Sequence, residues 1–237
     1  MRKISRLAAG ISATALVVSG AGIALGSAAA AAAPAAEPCV QSKHVDYNPG
    51  ISSFWITHTY DKSVDVRDAA AGTLVTYKLV VGTTSIGNPY VNGIVDFPPV
   101  GFGMPLKAEV TAYHLGQGQQ TNEVTVEPSG EGWGVNSTGW FVNSGNPVTA
   151  EFTYKVPDNI EAGQLVVSRG MQVHGTVGVG SEQHGMTVCF TGRDANPGEV
   201  LQGSLEDGGF GSSQNGLSST GSVTDIITDV IKNLIGS

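Results

Sequence analysis

The chain has 237 residues, with 12 Lys+Arg against 20 Asp+Glu and a formal net charge of −8. An acidic balance without basic clusters argues against nucleic acid and anionic lipid as partners. Thirty-three glycines, many threonines and few long helical runs favour an all-β class.

Arg2, Lys3 and Arg6 open the chain, an uncharged stretch runs from Leu7 to Leu25, and alanines continue to Ala33. A basic start, an apolar centre and a small-residue exit make a secretory signal peptide. Gly10, Ser12, Ser19, Gly20 and Gly22 dilute the apolar centre, so residues 1–36 are expected to be cleaved rather than kept as an anchor. Pro34 disfavours a cut just before it, which leaves sites between Ala30 and Ala36. Ala36-Glu37-Pro38 before Cys39 is not the small-residue lipobox of a lipidated cysteine. Removing residues 1–36 takes three basic side chains and no acidic one, so −8 becomes −11. About 200 residues remain, enough for a full core.

Cys39 and Cys189 are the only cysteines, and in an exported chain one intramolecular bridge is expected. Closing so long a loop gives roughly 4–5 kcal/mol in the chain-entropy model, an upper figure. Met186, Val188 and Phe190 alternate with Thr187, Cys189 and Thr191, so the bridge is expected on the more polar face of a late strand.

Residues 37–198 read as short strands punctuated by turns. Phe54, Ile56, His58 and Tyr60 share a phase. Val75, Tyr77, Leu79 and Val81 share another. Leu106, Ala108, Val110 and Ala112 form a third set, Val124 and Val126 a short fourth, and Ala150, Phe152, Tyr154 and Val156 a fifth. Residues 165–168, 171–177 and 186–191 add three more. Turn signals recur at Asn48-Pro49-Gly50, Gly87-Asn88-Pro89, Asn92-Gly93, Pro98-Pro99, Gly145-Asn146-Pro147 and Asn196-Pro197-Gly198. Eight or more strands, each with one apolar face, predict an antiparallel β-sandwich. The tripeptide Thr76-Tyr77-Lys78 returns as Thr153-Tyr154-Lys155, which reads as two strands obeying one alternation rule rather than as tandem domains.

Residues 199–221 form a Gly/Ser-rich linker: between Gly203 and Ser222, twelve of twenty residues are Gly or Ser, a density that cannot pack. Residues 222–237 then predict an amphipathic helix. Val223, Ile226, Ile227, Val230, Ile231, Leu234 and Ile235 fall on one face, and Ser222 with Asp225 has capping-box spacing. Such a short helix is marginal alone, so its stripe needs a partner surface.

The stretches Gly72-Thr-Leu-Val-Thr-Tyr-Lys-Leu-Val-Val, Ile94-Val-Asp-Phe-Pro-Pro-Val-Gly-Phe102 and Val148-Thr-Ala-Glu-Phe-Thr-Tyr-Lys-Val-Pro157 resemble the immunoglobulin-like surface domains of the DUF11 type. The chain as a whole is similar to exported proteins of mycolate-bearing actinobacteria. The resemblance covers residues 62–157 and implies an immunoglobulin-like sandwich of the bacterial surface, used as a spacer, stalk or adhesive module. It implies no particular ligand. A single domain departs from the arrays common in that family, and the cysteine spacing departs from the intersheet bridge of immunoglobulin domains.

Chemistry-bearing residues are scattered. No Gly-x-Ser-x-Gly elbow occurs. Cys189 could be a nucleophile with His174 or His184 as its base, but a disulfide at that cysteine abolishes this. His44, His58, His114, His174 and His184 show no metal-binding spacing, so no metal or cofactor is expected. His58 and His114 read as hydrogen-bonded strand histidines. Asp61, Asp65 and Asp68 read as a solvated turn rather than a calcium loop. Gly130-Glu-Gly132-Trp-Gly134 resembles a glycine-rich loop but lacks a following helix. Trp55, Trp133 and Trp140 could line a carbohydrate-binding face, but Trp55 and Trp140 are expected in the core.

These readings predict a non-enzymatic structural or interaction protein, secreted or in the cell envelope, whose partner is an envelope component or another protein. One alternative is association with an outer lipid layer, or self-assembly, through the C-terminal helix. Another is an enzyme acting on envelope polymers, which would need carboxylates converging in a groove.

Overall fold

The computed structural model describes residues 39–84 and 88–199. The expected signal segment, most of the expected linker and the expected C-terminal helix with its apolar stripe fall outside the described residues. Within them the protein is all-β, built of antiparallel sheets with one parallel pairing.

Fourteen strands follow in chain order. They are β1 (Ser42–Tyr47), β2 (His58–Val64), β3 (Asp68–Ala70), β4 (Leu74–Thr83), β5 (Tyr90–Phe97), β6 (Lys107–His114) and β7 (Gly118–Glu123). Then come β8 (Glu127–Ser129), β9 (Gly132–Phe141), β10 (Val148–Lys155), β11 (Leu165–Val167), β12 (Gly170–Gly175), β13 (Ser181–Gln183) and β14 (Cys189–Arg193). Nine form one long path in the order β1-β2-β4-β10-β6-β9-β5-β12-β13, with β7 on β6 and β8 on β9. β11-β14-β3 form a small second sheet.

The long path is joined at its middle by a single residue pair, Tyr113 with Phe141. Laid flat, β2 and β5 would stand roughly 24 Å apart, five steps of about 4.8 Å. Yet Lys62 of β2 and Asp96 of β5 meet side chain to side chain at 2.6 Å. The path therefore doubles over at this weak joint, and its inner faces close on a shared interior.

That interior is made by the inward phases. Val75, Tyr77, Leu79 and Val81 of β4 are wholly buried, as are Ala150 and Phe152 of β10. β4 and β10 pair with Thr76 opposite Thr153, so the repeated tripeptide is one cross-strand register. The Thr76 and Thr153 hydroxyls lie 3.1 Å apart, and the Tyr77 and Tyr154 rings meet edge to face at 5.9 Å.

Several expectations are corrected. Asn92-Gly93 is not a turn but lies inside β5, at a bulge. A Cβ there would sit 2.8 Å from Asn136 Oδ1, so a larger residue would have to push that side chain aside. Val124 and Val126 form no strand; they link β7 to β8 and pack partly against the core. His114 keeps the phase of Val110 and Ala112 but is exposed, because β6 ends there. Cys39 and Cys189 are bridged, with Cys39 exposed and Cys189 buried rather than on a polar surface. The bridge ties the segment before β1 to β14, beside the main-chain bond from Cys189 N–H to the Val40 carbonyl.

Candidate functional site

The most unusual chemistry lies inside the fold. Lys62 shares the inward phase of His58, Tyr60 and Val64, so its ammonium is carried into the core. Asp96 sits near the end of β5, where Ile94, Val95 and Phe97 are also buried. Both side chains are wholly buried.

Lys62 Nζ stands 2.6 Å from Asp96 Oδ1 and donates to the main-chain carbonyls of Gly170 and Phe97. The Tyr77 ring lies under it, 5.3 Å from Nζ to the centroid, in cation–π range. The Tyr154 hydroxyl donates to Asp96 Oδ2 at 2.8 Å. Loss of solvation is the largest influence on Lys62: it lowers the amine's pKa against the pull of Asp96, and Arg169 adds to the lowering. Burial first, then the Asp96 charge, raises the hydroxyls of Tyr77 and Tyr154, so both stay protonated donors. The Tyr77 hydroxyl has no hydrogen-bond partner among the described residues.

Local sequence makes the close approach possible. Trp133 of β9 faces Asp96 across the ladder, and Gly132 precedes it. A Cβ at Gly132 would fall 2.1 Å from the Asp96 carbonyl oxygen and 2.7 Å from the Phe97 ring. The Gly130–Gly134 segment is thus a hairpin joining β8 to β9: Gly130 makes the turn at φ 57°, and Gly132 and Gly134 allow close strand packing.

Beside Phe97 opens a cleft lined by Phe97, Gly130, Glu131, Arg169, Gln172, Glu182 and His184. Its charged groups pair among themselves. Arg169 meets the Glu131 carboxylate at 2.6 Å and donates to the Pro98 carbonyl, while His184 meets Glu182 at 3.1 Å and stacks on Phe97. Both carboxylates are solvent-exposed.

A second feature is the loop before β2. A 3-10 turn over Gly50–Ser53 ends in Phe54 and Trp55, both in the left-handed region at φ 53° and 59°. For bulky residues this backbone is strained by about 1–3 kcal/mol each. Asn48 holds it: its amide donates to the Trp55 carbonyl and the Thr57 hydroxyl, and its Oδ1 accepts from Gly50 N–H. The turn leaves Ile51, Phe54 and Trp55 at 78%, 76% and 68% exposure. Trp55 is therefore at the surface, not in the core, and the left-handed pair also breaks the alternation that would have carried Phe54 inward with Ile56 and His58. Trp133 and Trp140 are half-buried and pack on the core.

The remaining residues singled out in the sequence are spoken for separately. His44 pairs with Asp61 at 2.6 Å, Asp65 caps Thr76 N–H, and Asp68 meets Arg193. The Asp61 hydrogen bond raises the His44 pKa. His58 is buried, and its Nε2–H donates to the Val177 carbonyl. No cluster of three or more metal-binding side chains occurs among the described residues.

No family model matches the chain, and no curated protein matches it. Solved structures with some likeness include the RrgA Jo.In complex, at 13% identity, TM-score 0.37, covering 56% of this chain and 76% of that one. Spo0M, a sporulation control protein from Bacillus subtilis, follows at 11% identity and TM-score 0.31, over 63% and 55%. A family 123 glycoside hydrolase from Clostridium perfringens matches at 14% identity and TM-score 0.28, over 54% and 22%. Likenesses this distant assign no activity.

Proposed function

We propose that this chain is an exported, non-catalytic structural and interaction module with an immunoglobulin-like sandwich, which meets an envelope component or another protein through the loop bearing Ile51, Phe54 and Trp55. The exposed apolar tip carries the reading. Three large apolar side chains stand in solvent on a backbone held in a costly conformation, and strain of this kind persists where a site uses it. Binding surfaces draw on aromatic anchors in this way.

The Cys39–Cys189 bridge supports an oxidising compartment, as does the signal-like start of the sequence. The doubled-over sheet supports the sandwich.

Fractionation of the native cells tests the proposal. The protein is expected outside the cytoplasm and associated with the envelope. The double variant Phe54→Ser with Trp55→Ser is expected to melt like the parent, yet to leave the envelope fraction for the culture fluid. A parent retained in the cytoplasm, or a variant distributed like the parent, overturns the reading.

A further inference from the structure

We propose that Lys62 and Asp96 become joined by an intramolecular amide bond between the lysine ε-nitrogen and the aspartate Cγ. The inference goes beyond the interaction role and stands independently of the tip loop.

Geometry carries it. The two groups are 2.6 Å apart, wholly buried, and on strands held together by the folded core. Nζ is pressed against Asp96 Oδ1 with both side chains shut off from solvent, so the amine and the carboxyl group share one small enclosed space. A simple buried ion pair would place two full charges in apolar surroundings, and only excellent alignment offsets that cost. Here the loss of solvation lowers the amine's pKa, which favours passing one proton across the short gap.

The chemistry balances without any co-reactant. One ammonium proton moves from Nζ to Asp96 Oδ1, leaving a neutral amine and a carboxylic acid. The nitrogen lone pair then attacks Cγ and forms the C–N bond. The C–Oδ1 bond breaks, and Oδ1 departs as water carrying a second nitrogen proton. During attack, negative charge develops on Oδ2, where the Tyr154 hydroxyl already donates at 2.8 Å. The Gly170 and Phe97 carbonyls accept Nζ protons and fix the amine's position. Holding the two groups in contact supplies the high effective concentration that free amine and acid lack in water. The product replaces two buried charges with one neutral amide and ties β2 to β5 across the interior.

Tryptic digestion of the full exported chain, reduced and denatured, decides the matter. Cleavage after Lys62 would yield separate peptides 44–62, 63–67 and 79–107. The amide blocks that cleavage and gives one branched species, 44–67 joined to 79–107, lighter than its two parts by one water. Recovery of free peptide 44–62 in full yield from folded protein overturns the proposal. Lys62→Met is expected to abolish the branched species, and circular dichroism checks its fold. In a pulse-chase, Tyr154→Phe is expected to slow branching on the order of 10²-fold, the usual effect of removing one donor to a developing oxyanion. Branching at the parent rate would overturn the role given to Tyr154.

Discussion

Tyr154 and Tyr77 stand on neighbouring strands with their rings in edge-to-face contact, yet only Tyr154 places its hydroxyl on Asp96. The Tyr77 hydroxyl is buried without a partner among the described residues. Removing one phenol oxygen should therefore have opposite consequences at the two positions. Tyr154→Phe leaves Asp96 Oδ2 without its donor and is expected to cost about 1–3 kcal/mol. Tyr77→Phe deletes an unpaired buried polar group and is expected to be neutral or slightly stabilising. Urea unfolding of both variants checks this, and equal losses would show that the two hydroxyls are not distinguished in this way.

The repeated tripeptide was legible as alternation, and alternation recovered much of the core. The inward sets 75–81 and 150–156 are buried as their period of two requires. The ingredients of the buried cluster were also visible. Lys62 lies in phase with His58 and Tyr60, and Asp96 interrupts an apolar run. What the sequence could not supply is their encounter, because β2 and β5 meet only when the long sheet doubles over. Phe54 leaves the inward phase of Ile56 and His58 for a local reason: two successive left-handed residues, Phe54 and Trp55, shift the chain out of strand geometry just before β2, and Trp55 stays on the outer side. Asn92-Gly93 carries a turn signal, but Gly93 is paired on both sides, with Asn136 of β9 and His174 of β12, and that long-range pairing outweighs the local preference of the dipeptide.

His58 gives the fold a pH dependence whose sign follows from burial. Its pKa is lowered from 6.5, chiefly by loss of solvation, against the bond to Val177. Below 6.5 the unfolded chain takes up a proton that the folded chain resists. Stability should then fall as pH drops from 6.5 towards the folded pKa, by up to about 1.4 kcal/mol per pH unit. His44 acts in the opposite sense: its pKa is raised, so its contribution is present below 6.5 and is lost as pH rises through the folded value. His44 is exposed, and solvent screening makes its share small. Denaturation midpoints between pH 5 and 7 should slope for the parent and flatten for His58→Gln. An unchanged slope in that variant would assign the dependence elsewhere.

Gly132 offers a steric test of the packing around Asp96. Its backbone is not left-handed, so alanine carries no conformational penalty there. The whole cost comes from the new methyl, which would lie 2.1 Å from the Asp96 carbonyl oxygen and 2.7 Å from the Phe97 ring. A backbone oxygen cannot swing aside as a side chain does, so β9 must retreat from β5. Gly132→Ala is accordingly expected to destabilise by about 1–3 kcal/mol, the usual range for overpacking. Gly103→Ala, where a Cβ would have no neighbour within 4 Å, serves as the control and should stay within about 0.5 kcal/mol of the parent. Thermal melts of the pair decide it: if both variants unfold with the parent, β5 and β9 are less tightly apposed at Asp96 than this geometry requires.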